Sequence, residues 1–439
     1  MEPLTRTEKL TVLASMGIEL PEDTKLVDAV LEKRLVNALD AAQGKDRCPD
    51  PSKLRELPMW PLVKTGEINS SARLLLDAVK RGNMHEARQN SQAALLGMSA
   101  SPELFTDPFM DLRQTHMSLA NGLDNGFMWC TIQDPDREKS AINIRFLKVH
   151  EIDTKTPAMV LLYHSVTRTN AMDGARWCEY QVANDPKTLR GIGINISATA
   201  LEQKLLLKLL EMNTKLLPPD FRPEKRRFED NYRASVLLPI GPLDFEAISK
   251  LTLDPGCEVC GKRGTHRCGH CQSASYCSAA CQKIDWPSHK QTCRSLKGGR
   301  WSAVAIRATA PGMEHMTSAF INRYTNMSRR EDILAGMQVG SPSTPHANVH
   351  ADKPFLVKLQ VGLAGPGRDN IVVYDRLRSF SQVYVSRRDD PATFADLVAE
   401  MAGPRGGYGG VKMYRWAKRT GDWELNICVD RKPETDIKW

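Results

Sequence analysis

The chain has 439 residues and a formal charge of +8, with 60 Lys and Arg against 52 Asp and Glu, and 41% of its residues are hydrophobic. That length allows about three domains with cores of their own, and the mild, scattered basic excess gives nucleic-acid binding little support. No apolar run of roughly eighteen residues exists to cross a bilayer, so a soluble globular protein is expected.

The opening residues, MEPLTRTEKLTVLASMGIELPEDTK, mix charged and apolar positions at helical spacing and lack the features of a secretory signal. Cys48, Cys130, Cys178 and Cys428 lie far apart, which suits reduced thiols better than a disulfide framework. Together these point to the cytoplasm or nucleus. The triplet Lys225, Arg226 and Arg227 can be read as a nuclear-import signal or as a solvated linker.

In chain order, residues 1–104 read as helical. Apolar positions at three-to-four spacing predict a helix from Pro21 to Ala42, and a second helical pair is expected at Ser71–Lys80 and Met84–Leu96. The prolines between Cys48 and Pro61 mark a loop. Residues 105–255 read as an α+β domain. A helix follows Pro108, and strands are expected at Phe127–Ile132, Ala141–Val149 and Ala158–Val166, the middle one alternating as if only one face were buried. A leucine-rich helix spans Ala198–Leu217, and a short apolar run covers Val236–Ile240.

Residues 294–350 read as connector and linker, with the Ser- and Pro-rich stretch from Gly340 as its flexible end. Residues 351–439 predict a small α+β domain, ubiquitin-like in its strand and helix order, ending in a hairpin of Val411–Trp416 with Trp423–Val429.

Between these regions, residues 257–293 hold seven of the eleven cysteines. The candidate ligands form four pairs: Cys257 with Cys260, Cys268 with Cys271, Cys277 with Cys281, and His289 with Cys293. Eight soft or borderline donors make two closed tetrahedral sites, which is the form of structural zinc. Only seven residues separate the two CxxC pairs, too few for both to fold comfortably onto one metal. An interleaved assignment follows, with Cys257, Cys260, Cys277 and Cys281 on one zinc and Cys268, Cys271, His289 and Cys293 on the other. His266 and His270 are left as solvent-facing loop residues, and filled sites leave no position for an activated water.

Tyr276, Cys277, Ser278, Cys281, Gln282, Asp285, Trp286, His289, Lys290 and Cys293 give this stretch a pattern that resembles the MYND zinc finger. The resemblance implies protein interaction. Corepressor-type members read short proline-containing motifs with a Gln and a Trp four apart on a helix, here Gln282 and Trp286. The indole offers a flat wall to a proline ring, and the amide can bond an extended backbone. The other reading of Trp286 is a residue that packs the finger's small core.

Two enzyme classes share such a finger. The SET-type methyltransferases carry an Asn-His-Ser motif and a late cysteine cluster, and neither is found here. Prolyl hydroxylases hold iron with an HxD pair and a later histidine; His350 and Asp352 spell the pair, but His350 is the last histidine. The glycines at 406, 407, 409 and 410 lack the helix start of a phosphate loop. No catalytic residue is assigned, and the competing reading is an enzyme with an unrecognised active site in residues 105–255.

Overall fold

The computed structural model describes most residues between 2 and 433; the longest stretches outside the description are 63–71, 92–104, 185–193 and 312–344. The chain divides into two compact units, one of Met1–Glu22 with Glu32–Leu243, the other chiefly of Asp244–Thr325 and Arg329–Trp439. The helical region expected over 1–104 and most of the α+β region expected over 105–255 share the first unit.

That unit begins with α1 (Arg6–Ser15), α2 (Asp28–Gln43), α3 (Leu75–Val79) and α4 (Pro108–Asp124). A capping box of Thr5 and Glu8 opens α1, while Asp107 caps α4 with Pro108 in its first turn. Asp124 accepts the backbone N–H groups of Leu75 and Leu76 at 2.8 and 2.9 Å, so the end of α4 caps the start of α3. The helix expected from Pro21 starts at Asp28, with 21–23 and 25 outside the described residues, and residues 85, 88–90 and 92–96 of the expected Met84–Leu96 helix also lie outside them.

Next come β1 (Trp129–Gln133), β2 (Ser140–Asp153), β3 (Thr156–Thr167), α5 (Ala171–Asn184), β4 (Ile194–Ser197), α6 (Ala200–Asn213) and β5 (Arg233–Leu237). They form one sheet in the order β4-β1-β2-β3-β5, parallel only between β1 and β4. A capping box of Thr199 and Glu202 starts α6.

The single-faced reading of β2 is corrected by the structure. Asn143 and Arg145, expected to face solvent, are 1% and 7% exposed because helices cover both sides of the sheet. On one side, Trp177 of α5 packs with Trp129, Leu162 and Tyr232, meeting Trp129 edge-on at 5.5 Å. On the other, Ser235 of β5 donates to the carbonyl of Leu210 in α6. The buried charge is matched: Arg145 donates to both carboxylate oxygens of Glu229 at 2.7 and 2.6 Å, and Glu229 also accepts from Trp177 and the Arg226 backbone.

The second unit contains β6 (His266–Arg267), β7 (Ser275–Tyr276), α7 (Ala279–Ser295), β8 (Trp301–Ala305), β9 (Phe355–Val361), β10 (Asn370–Asp375), β11 (Val383–Ser386), α8 (Pro391–Ala402), β12 (Lys412–Gly421) and β13 (Glu424–Cys428). Six strands pair antiparallel in the order β11-β10-β9-β12-β13-β8. Just beyond β8, Arg307 exchanges backbone hydrogen bonds with Tyr384 of β11 at 2.9 and 2.8 Å, which closes the strands into a ring. Alternate residues such as Val357, Leu359, Ile371, Val373, Leu425 and Ile427 fill it, together with Phe394, Leu397 and Met401 of α8. Strand β8 arises within the stretch expected to be connector.

Candidate metal centre

The finger's backbone explains how four sequence pairs become two sites. Strands β6 and β7 form a two-residue ladder, His266 opposite Tyr276 and Arg267 opposite Ser275, which sets Cys268 and Cys271 at one end and delivers Cys277 beside α7. Ser278 caps α7 by accepting the Cys281 N–H at 3.3 Å. Cys277 and Cys281 thereby bracket the first turn, and His289 and Cys293, four apart, share a face further along. The Tyr276 hydroxyl donates to Asp285 at 2.6 Å and ties β7 to the middle of the helix.

Two groups of donor atoms result, Cys257, Cys260, Cys277 and Cys281 in one and Cys268, Cys271, His289 and Cys293 in the other, each lying within 4.8 Å of one another. Sulfur atoms bound to zinc at about 2.3 Å in a tetrahedron sit about 3.8 Å apart. Here Cys260 and Cys277 are 3.4 Å apart, Cys277 and Cys281 3.6 Å, and Cys268 and Cys293 3.7 Å, while Cys271 Sγ lies 3.3 Å from His289 Nε2. These spacings are far too long for a disulfide and fit two structural zinc ions.

Local electrostatics shift the donors in different directions, with the Cys260 and Cys293 thiols raised and the Cys257 thiol lowered. Burial pushes the Cys257 thiol up, but backbone N–H groups of Cys260, Cys277 and Val259 outweigh it and bring the pKa down to about 7. Beside the Cys271 thiol, His289 is raised to about 9, so metal must displace a proton there on binding. His266 and His270 are exposed and belong to neither group.

Gln282 and Trp286 lie on α7 with Trp286 36% exposed, and Trp286 is not among the residues packed in the finger's core. That core is Val259, Ala274, Tyr276 and Leu296 among the buried ligands, with Trp301 and Trp416 packed against it. Trp416 Nε1 donates to Ser295 Oγ at 3.2 Å, and the Arg300 N–H donates to Asp430 at 2.7 Å. These contacts bind the finger to the strand ring, and sequence spacing could not reveal them because the partners lie more than a hundred residues apart.

The HxD histidine is engaged elsewhere. His350 Nε2 lies 2.6 Å from Asp375 Oδ2, and its ring stacks on Phe355 at 3.9 Å.

A compact double-zinc module with interleaved ligands is thus the defining site of the chain. The sequence pattern of the MYND finger family matches residues 257–293, and the chain carries a MYND-type zinc finger there. Among curated proteins, ubiquitin carboxyl-terminal hydrolase 19 of Arabidopsis thaliana is 52% identical over 42 residues, 9% of this chain and 6% of that protein. N-lysine methyltransferase SMYD2 of Rattus norvegicus is 44% identical over 59 residues, 12% of this chain and 14% of that protein. Histone-lysine N-methyltransferase SMYD3 of Homo sapiens is 51% identical over 43 residues, 9% of this chain and 10% of that protein. The chain therefore spans a small fraction of the length of these relatives. No solved structure matches it.

Proposed function

We propose that this protein works inside the cell, in cytoplasm or nucleus, as an interaction protein whose finger takes short proline-containing peptide motifs on the face of α7 that carries Gln282 and Trp286. The exposure of Trp286, an aromatic outside the finger's core, is the observation that supports this reading. A proline ring would lie on the indole, and the Gln282 amide would bond the peptide backbone. Zinc is structural in this scheme and holds the helix in place.

The test is capture of immobilised proline-containing peptides by the full chain. Trp286→Ala and Gln282→Ala should each lose capture while retaining two zinc ions. Unchanged capture by both variants would refute the reading, and loss of zinc would make Trp286 a packing residue.

A second reading is an enzyme with its active site in residues 105–255 and the finger as a structural or targeting module. It is favoured by a cavity within that stretch, which holds two carboxyl groups with raised pKa values.

A further inference from the structure

That cavity, of about 440 Å³, lies between α4, β4 and the first turn of α6. Its volume falls in the range of small-ligand sites, roughly 300–1,000 Å³. Asp111 and Glu202 line it, and they are 6% and 2% exposed. Asp111 Oδ1 accepts the Phe105 N–H at 3.0 Å, whereas Oδ2 takes no hydrogen bond among the described residues. Glu202 accepts from the Thr115 hydroxyl and, at 3.3 Å, from the Thr199 N–H. Gln114, Asn121, Asn125 and Asn195 also line the cavity, and their amides offer both acceptors and donors.

The lining contains no Lys, Arg or His. Two nearby carboxyl groups thus share a half-open hollow whose lining, among the described residues, holds no cation to compensate them. Burial, and for Glu202 the charge of Asp111, raises both pKa values, and that of Glu202 reaches about 7. Anions are disfavoured in such a hollow. A divalent metal has poor support too, since the groups of three or more metal donors among the described residues are both in the finger. Phe105 and Phe127 at the cavity wall offer aromatic surface that suits an organic cation.

We propose that this cavity binds a small organic cation carrying an ammonium or guanidinium group, with Asp111 and Glu202 as its counter-charges. The site lies in the first unit and stands independently of peptide capture by the finger.

Agmatine, which carries both cationic groups, is the probe, titrated into the zinc-loaded full chain by calorimetry, with sorbitol and glutarate as neutral and anionic controls. Saturable agmatine binding is expected, with no binding of either control. Asp111→Asn and Glu202→Gln keep hydrogen-bonding oxygens and should each weaken agmatine at least tenfold. Ser118→Trp, at an exposed position on the cavity wall, leaves both carboxyl groups in place and should also block binding. Absence of agmatine binding, affinity unchanged in all three variants, or sorbitol or glutarate binding as well as agmatine would overturn the proposal.

Discussion

Replacing Cys293 by Ser removes one of four donors from the second zinc site, and the magnitude follows from what else holds the finger. Apart from ligands, the finger's buried apolar residues are Val259, Ala274, Tyr276 and Leu296. At about 2 kcal/mol for each larger side chain and about 0.8 for Ala274 they supply roughly 7 kcal/mol, whereas a structural zinc ion contributes about 10–16 kcal/mol in finger peptides. Weakening one ion therefore threatens more stability than the whole apolar core provides. The expected outcome is a fall from two zinc ions per chain to one or none, with rapid thiol modification and protease cleavage within 257–293. Metal analysis and timed thiol titration measure both. A Cys293→Ser protein that keeps two tightly held zinc ions and slow-reacting thiols would refute the reasoning.

Glu229→Gln leaves the Arg145 guanidinium buried beside a neutral partner and should destabilise the first unit by roughly 3–5 kcal/mol, the range for breaking a buried pair; urea unfolding followed by tryptophan fluorescence reports it, since Trp177 bonds Glu229 directly. The Glu202 pKa of about 7 lies above its ordinary 4.5, so its contribution to stability is full below about pH 4.5 and is lost as pH rises through 7. Glu202→Gln should remove that dependence and be the more stable protein at pH 8, by up to about 3 kcal/mol; parallel pH profiles of wild type and variant would contradict this. Gly299→Ala drives a methyl group into Cys428 Sγ and the Arg431 side chain, and overpacking of about 1–3 kcal/mol should lower the melting temperature. An unchanged melting temperature would show that this junction yields.

The parts visible in the sequence are those whose signals are local. All eight metal donors lie within 257–293, and the short intervals between Cys260 and Cys268 and between Cys277 and Cys281 limit how they combine. The terminal hairpin also declares itself, because β12 and β13 are joined by a short polar turn through Gly421. Strand β8 is different: five residues with an intermediate burial pattern become a strand only because β13, more than a hundred positions later, pairs with them. In β2, the alternation around Ile142, Ile144 and Phe146 was real, but the polar residues between them meet Glu229, Thr131 and the Gly174 carbonyl instead of water. The cavity of Asp111 and Glu202 was equally hidden, since α4, β4 and α6 bring its walls together from positions up to ninety-seven apart.

The backbone exchange between Arg307 and Tyr384 has a consequence for how partners can approach. An open sheet presents a row of vacant amides and carbonyls to which an extended peptide, or another copy of the chain, can add as one more strand. The bridge spends one residue's amide and carbonyl on each side of the seam, so a peptide adding as a further strand there would have to break those two hydrogen bonds first.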